Sequence, residues 1–179
     1  MIKEIKTKDL KPKEFIAEKI GEIKSIVGNG IGFCALSGGV DSSVTAVLAH
    51  KALGDRLKPY FLQNGLMREG EAESVVAIFK RLGMTVQVYP CEDKFFSALA
   101  GIKDPEAKRE AITKTFYQDV FPKIMRAIGA QYLFQGTIYT DVEETVAGIK
   151  RQHNVLEQLG IDTLVKYGYK VIEPFSAIT

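Results

Sequence analysis

Short apolar runs alternate along this chain with longer stretches in which apolar residues return every three or four positions. The runs Ile31 to Leu36, Pro59 to Leu62, Met84 to Tyr89, Tyr132 to Gln135 and Lys170 to Glu173 are short and bounded by glycine, proline or polar residues. They predict five buried strands. Helical spacing predicts an N-terminal helix over 12–27, and Val44, Val47 and Leu48 share one face of a helix after the first strand. Val75, Val76, Phe79 and Leu82 do the same within a helix from Ala72 to Leu82. A long helix opens at Asp104-Pro105-Glu106, where an N-cap candidate, a first-position proline and an acid suited to the helix dipole follow one another. Its apolar face is Ile112, Phe116, Val120, Ile124 and Ile128, and Pro122 should kink or split it. Strands alternating with helices in this way predict a single α/β domain over 1–179: a doubly wound, mainly parallel five-stranded sheet covered by helices on both faces. Ligands of such sheets collect at the carboxyl ends of the strands.

The first of those ends carries the clearest chemistry. Leu36-Ser37-Gly38-Gly39-Val40-Asp41-Ser42-Ser43 joins the first strand to its helix. Gly38 and Gly39 can take backbone angles closed to other residues and leave the amides uncovered. A polyphosphate can then lie on N–H groups and the positive helix end, with the hydroxyls of Ser37, Ser42 and Ser43 around it. Asp41 would repel phosphates unless a cation lay between them, so it is read as a magnesium ligand. A Walker loop is excluded, because that loop needs a lysine and none occurs between Asn29 and His50.

Composition narrows the class without changing it. Apolar residues make up 46% of the 179, charged residues 26%, and the net charge is +2. Nothing in these values marks a disordered chain, a nucleic-acid-binding arm or a membrane surface. No apolar run approaches the roughly 20 residues that span a bilayer, and the charged start Met1-Ile2-Lys3-Glu4 lacks a secretory core. Cys34 and Cys91 form neither a disulfide framework nor a C-x-x-C pair, so a cytoplasmic location is expected. Cys34 belongs to the strand core. Cys91 is flanked by Glu92 and Asp93, which would raise a thiol pKa. His50, ending its helix, suits an interaction with terminal carbonyls.

The string from Leu36 to Ser42 resembles the loop of the PP-loop ATP pyrophosphatases, whose fold is adenine nucleotide alpha hydrolase-like. Further segments extend the likeness: Asn64-Gly65-Leu66 with Arg68, Ala98 to Gly101 with Asp104-Pro105-Glu106 and Lys108-Arg109, Gln135-Gly136-Thr137 with Asp141 and Val142, and Ile149-Lys150 with His153-Asn154-Val155. Together they resemble the ATP-pyrophosphatase unit of GMP synthetases, in the form that has a separate glutaminase. That resemblance implies ATP and Mg2+, adenylation of the C2 oxygen of XMP with release of pyrophosphate, and displacement of AMP by ammonia. It implies that Leu36 to Ser43, with Val40 among them, hold ATP together with Gln63, and that Gln135, Gly136 and Thr137 hold the nucleotide edge. It implies that Asp41 holds the metal and that Lys150 meets the reacting phosphate from a mobile lid spanning about 139–168. Arg68, Asp141 and His153 are further candidates; Arg68 could equally be solvated surface, Lys150 has a solvated loop lysine as its alternative, and Asp141, Glu143 and Glu144 read as a solvated acidic loop before a second metal cluster. A glutaminase partner is implied, and a homo-oligomer is left open.

Departures from the family pattern accompany the matches. Gln63 stands where an aspartate is usual and cannot neutralise a cation. Gln152 precedes His153 where two histidines usually adjoin, and Leu156 to Gly160 replace a Gly-Gly-Leu-Pro segment. The family also continues past its Glu-Pro segment into an XMP-binding, dimer-forming domain that these 179 residues do not include, so either a cut chain or a shortened relative is expected, and in both cases poor XMP turnover by these residues alone. Two other functions fit the residues: a PP-loop sulfur transferase using Cys91, and a non-catalytic nucleotide-binding relative.

Overall fold

The computed structural model describes residues 4–146 and 163–179. Five strands, β1 (Gly32–Leu36), β2 (Leu57–Gln63), β3 (Gln87–Pro90), β4 (Tyr132–Phe134) and β5 (Lys170–Ile172), form one parallel sheet in the order β3-β2-β1-β4-β5. The path runs outward from β1 through β2 to β3 and then returns to the other side of β1. The switch therefore falls between β1 and β4, where a crevice opens at the carboxyl ends.

Alternation along each strand divides the core into two layers. Cys34 and Leu36 of β1, Phe61 of β2, Phe134 of β4 and Ile172 of β5 pack on α1 (Pro12–Val27), α2 (Val40–Leu53) and α3 (Glu71–Arg81). Phe33, Tyr60, Leu62, Leu133 and Val171 face the opposite way. They meet α4 (Glu92–Leu99) through Phe95, and a helical segment made of α5 (Pro105–Lys114), a π-turn over Thr115–Val120 and α6 (Phe121–Ile128). Both faces of the central strands are thus dry, which explains why their runs are apolar without alternation. Two short helices, α7 (Tyr139–Val146) and α8 (Thr163–Tyr167), flank the undescribed segment.

Several expected elements shift. β3 begins at Gln87, so Met84 and Val86 are buried in the approach to the strand rather than in it. β4 ends at Phe134, leaving Gln135 in the loop beyond. Val44 and Leu82, assigned from spacing to buried helix faces, are 47% and 53% exposed, because the apolar stripe needed on α2 and α3 is already filled by neighbouring residues. The helix α4 has no counterpart among the elements expected from spacing. Asp104 does cap α5, its Oδ1 accepting from the Ala107 amide at 2.8 Å.

Pro122 neither breaks nor splits the long helix. A proline ring clashes with the carbonyl four residues back and supplies no N–H. Here the turn before it widens: Phe121 N–H donates to the carbonyl of Phe116, five residues back, and Pro122 falls in the first turn of α6. Phe116 and Tyr117 lie on this wide turn, and both line the crevice at the strand ends.

Candidate functional site

The loop after β1 reaches α2 through two close turns. Gly38 has φ +77°, in the left-handed region, and a β-carbon there would run into the Glu71 carboxylate. Around it the serines hold one another: Ser37 Oγ lies 3.0 Å from Ser42 Oγ, the Gly39 amide donates to Ser37 Oγ at 3.3 Å, and Ser43 Oγ donates to the Gly39 carbonyl at 2.7 Å. Ser42 Oγ also accepts from the Ser37 amide at 3.3 Å. These contacts fix the loop's shape and leave the first turn of α2 with the unpaired N–H groups that every helix start carries. The arrangement suits an anion.

The loop forms one wall of a cleft of about 400 Å3 between the ends of β2, β1 and β4. Ser37, Asp41 and Ser42 line it from the β1 side, Asn64 and Met67 from beyond β2, and Gln135, Gly136 and Asp141 from beyond β4. Phe116, Tyr117 and Phe121 supply an aromatic floor. The walls approach closely at Gly136, where a β-carbon would stand 2.6 Å from the Asp41 carbonyl carbon and 2.8 Å from the Ser42 nitrogen. Only glycine lets the β4 loop lie against the start of α2.

Individual partners define the rest. Asn64 is buried and its Oδ1 accepts from the Leu66 amide at 2.9 Å, closing the turn after β2. Thr137, also buried, donates through Oγ1 to Glu173 Oε1 at 2.6 Å, which ties the β4 loop to the end of β5. Asp141 Oδ2 accepts from the Ile138 amide at 3.2 Å and so caps α7 while its residue lines the cleft. Gln135 Nε2 donates to the Tyr117 hydroxyl, whereas Gln135 Oε1 is buried without a hydrogen-bond partner among the described residues. Burial pushes the Tyr117 hydroxyl pKa well above its ordinary range, so this phenol stays neutral.

The structure brings many of the singled-out residues together along the loop. Leu36, Ser37, Asp41, Ser42, Gly136 and Asp141 line one cleft, with Gly38, Gly39, Val40 and Ser43 continuing the exposed loop or first helical turn beside it. Gln63 is exposed at the end of β2 and is absent from the cleft wall; its neighbour Asn64 lies there instead. Thr137 stands behind the wall, bonded to Glu173. Arg68 is exposed, with its amide donating to Glu71 Oε2 at 3.0 Å. Lys150 and His153 lie outside the described residues, as does most of the expected lid. Met67, Tyr117 and Phe121 are wall residues that the sequence pattern does not single out, and Phe116 enters it only as a member of a helix face; a tyrosine and two phenylalanines within six positions of a proline are the available signal. Two carboxylates on one cleft, Asp41 and Asp141, offer the hard oxygen donors that magnesium takes, one or two from protein and the remainder from phosphates and water. Among the described residues no group of three or more histidines, cysteines or carboxylates forms a closed metal cage.

The other singled-out residues have structural roles. His50 Nδ1 lies 3.1 Å from the Gly54 carbonyl at the end of α2. Burial pushes the Cys34 thiol up to about 12. Burial and then the Glu92 charge raise Cys91 to about 11, with Lys94 opposing, which is the wrong direction for a nucleophilic thiolate. No described helix is long and apolar enough to cross a membrane.

A profile of the NAD synthase family matches residues 12–128, which contain the β1 loop, the turn after β2 and the aromatic floor. The chain belongs to that family. The chain is 46% identical to a subunit of the glutamine-hydrolyzing GMP synthase of Sulfurisphaera tokodaii, over 92% of this chain and 44% of that one. It is 50% identical to the corresponding GMP synthase subunit of Methanocella arvoryzae, over 79% of this chain and 45% of that one. The chain spans about half the length of the curated relatives it matches. Among solved structures, the NH3-dependent NAD synthetase from Campylobacter jejuni superimposes with a TM-score of 0.63 over 79% of this chain and 62% of its own, at 12% identity. That likeness fixes the fold as a member of the adenine nucleotide alpha hydrolase-like class.

Proposed function

We propose that this chain is the ATP-pyrophosphatase portion of a glutamine-hydrolysing GMP synthase, adenylating XMP and releasing pyrophosphate. The 46% identity over 92% of the chain to a GMP synthase subunit carries the proposal. The cleft gives it a physical basis. A carbonyl oxygen is a poor leaving group until it carries an adenylyl group, so the site must bring the C2 oxygen of the acceptor to the α-phosphorus. The bond from that phosphorus to pyrophosphate then breaks as the new P–O bond forms. Ammonia adds at C2, and the AMP oxygen leaves with its electron pair. A separate glutaminase subunit is the proposed source of that ammonia.

The chain's own groups divide these tasks. Amides at the start of α2, with Ser37 and Ser42, would bind the departing pyrophosphate. Asp41 and Asp141 would hold magnesium, which when bound neutralises phosphate charge. Phe116, Tyr117 and Phe121 exclude water from the inner half of the cleft, protecting an adenylate from hydrolysis. Lys150 is proposed to meet the reacting phosphate and the segment around His153 to close over it, with the cytoplasm as the setting. A loop without a Walker lysine favours α–β over β–γ cleavage. Incubation with labelled ATP, magnesium, XMP and ammonium, followed by chromatography, tests the proposal: AMP and pyrophosphate in equal amounts are expected. ADP and phosphate as the main products would overturn it.

A further inference from the structure

The loop after β1 suits an anion, yet a carboxylate is held against it. Glu71, in the first turn of α3, is half-buried and lies on Gly38: a β-carbon on that glycine would collide with Glu71 Oε1 and stand 3.0 Å from Cδ. The other oxygen, Oε2, accepts from the Arg68 amide at 3.0 Å, and the Glu71 amide donates to the Arg68 carbonyl at 3.2 Å. The turn after β2 thereby fixes the carboxylate in place. Among the described residues Glu71 enters no ion pair, and Arg68 bonds to it through backbone atoms.

Local structure accounts for the side chain but not for its charge. An acid in a first turn complements the helix dipole, and Glu73 supplies that from an exposed position. The bond to the Arg68 amide needs an acceptor oxygen, which a neutral glutamine also carries. Neither role calls for an uncompensated negative charge beside amides and a helix end that favour anions. Like charges at close range repel, and a cation bound to one of them offsets that repulsion. The Glu71 carboxylate therefore opposes a bare polyphosphate on this loop far more than one that carries its own cation.

We propose that Glu71 is a specificity-determining residue that makes the loop take the phosphates of ATP with a divalent cation on them and reject the free nucleotide. The assignment rests on the function proposed above, in which this loop holds those phosphates. In that function Glu71 and Asp41 act in opposite senses: Asp41 favours the metal-bound nucleotide, whereas Glu71 disfavours the metal-free one. Glu71 binds no ligand atom, since one oxygen is occupied by the Arg68 amide and the other abuts Gly38.

Calorimetric titration with ATP, once in magnesium and once in a chelator, compares the wild-type chain with Glu71→Gln and Glu71→Ala. Glutamine keeps the shape and an acceptor for the Arg68 amide; alanine removes both, and each variant removes the charge. Both are expected to tighten metal-free ATP by about threefold to tenfold, the size of one partly screened charge, with magnesium-ATP changing by less than about twofold. The gain should shrink in high salt. Urea midpoints give the structural readout: Glu71→Ala should fall and Glu71→Gln should stay near wild type, so a purely structural role would separate the two variants where the charge unites them. No gain in chelator overturns the proposal, as does a change of equal size in both media or a gain confined to one variant. If the wild-type chain does not bind magnesium-ATP, the functional reading falls together with this one. If it binds and neither variant gains in chelator, only the present proposal falls.

Discussion

The two halves of the cleft are built in opposite ways. The loop half, proposed to hold phosphate, comes from eight consecutive residues, Leu36 to Ser43, most of them exposed and held by hydrogen bonds spanning two to five positions. The inner half comes from Tyr117, Phe121, Leu62 and Gln135, which are distant in sequence, buried, and brought together by sheet order and a π-turn. The first is a local device that any strand-to-helix junction could display. The second exists only when both faces of the sheet are packed. Mutations in the first should therefore disturb binding with little loss of stability, and mutations in the second should do the reverse unless they are isosteric.

The largest break is expected from Phe33→Ala, beneath the inner half. Phe33 is fully buried against Tyr60 and Phe121, at ring separations of 5.6 and 5.5 Å. Truncation should cost about 3–5 kcal/mol, read as a fall in the urea midpoint. Gly136→Val, at the seam between the halves, should come next. Its β-carbon meets backbone that cannot rotate away, so about 1–3 kcal/mol of stability and most ATP affinity should disappear together. Unaltered ATP titration in that variant would show that the two walls need not touch.

Smaller effects sharpen the contrast. Gly38→Ala forces a side chain into φ +77° against Glu71, which can move, so about 1–2 kcal/mol of strain should accompany weaker ATP binding. Asp41→Asn should alter thermal stability by less than about 0.5 kcal/mol, since the residue is exposed. Its affinity for ATP should nevertheless fall much more in magnesium than in a chelator. Equal losses in both conditions would remove Asp41 from the metal site. The cysteines give the mildest test. With Cys91 raised to about 11 from 9.0, the unfolded thiol releases its proton first, so stability should decline as pH rises from about 9 through 11. Below that window both thiols should resist alkylation until the chain is unfolded.

What the sequence revealed was whatever local chemistry writes in consecutive residues. Strand runs, the helix over 12–27, the Asp104 cap and the glycine-serine loop were legible because each depends on neighbours within a few positions. Gln63 shows the limit of that legibility. The family resemblance placed a ligand contact at Gln63, but that side chain is exposed at the end of β2 while its neighbour Asn64 lies in the cleft wall, and one step along the chain separates the two. Val44 and Leu82 failed for a related reason, since helical spacing names a face without saying how much of it neighbours will cover. Pro122 could be read as a disturbance of a helix, but not as a π-turn that carries Tyr117 to Gln135. A phosphate loop can thus be written locally, because its donors belong to its own backbone. The aromatic wall of the cleft was decided only in the tertiary structure, because burial and partner geometry belong to residues that the chain keeps far apart until it folds.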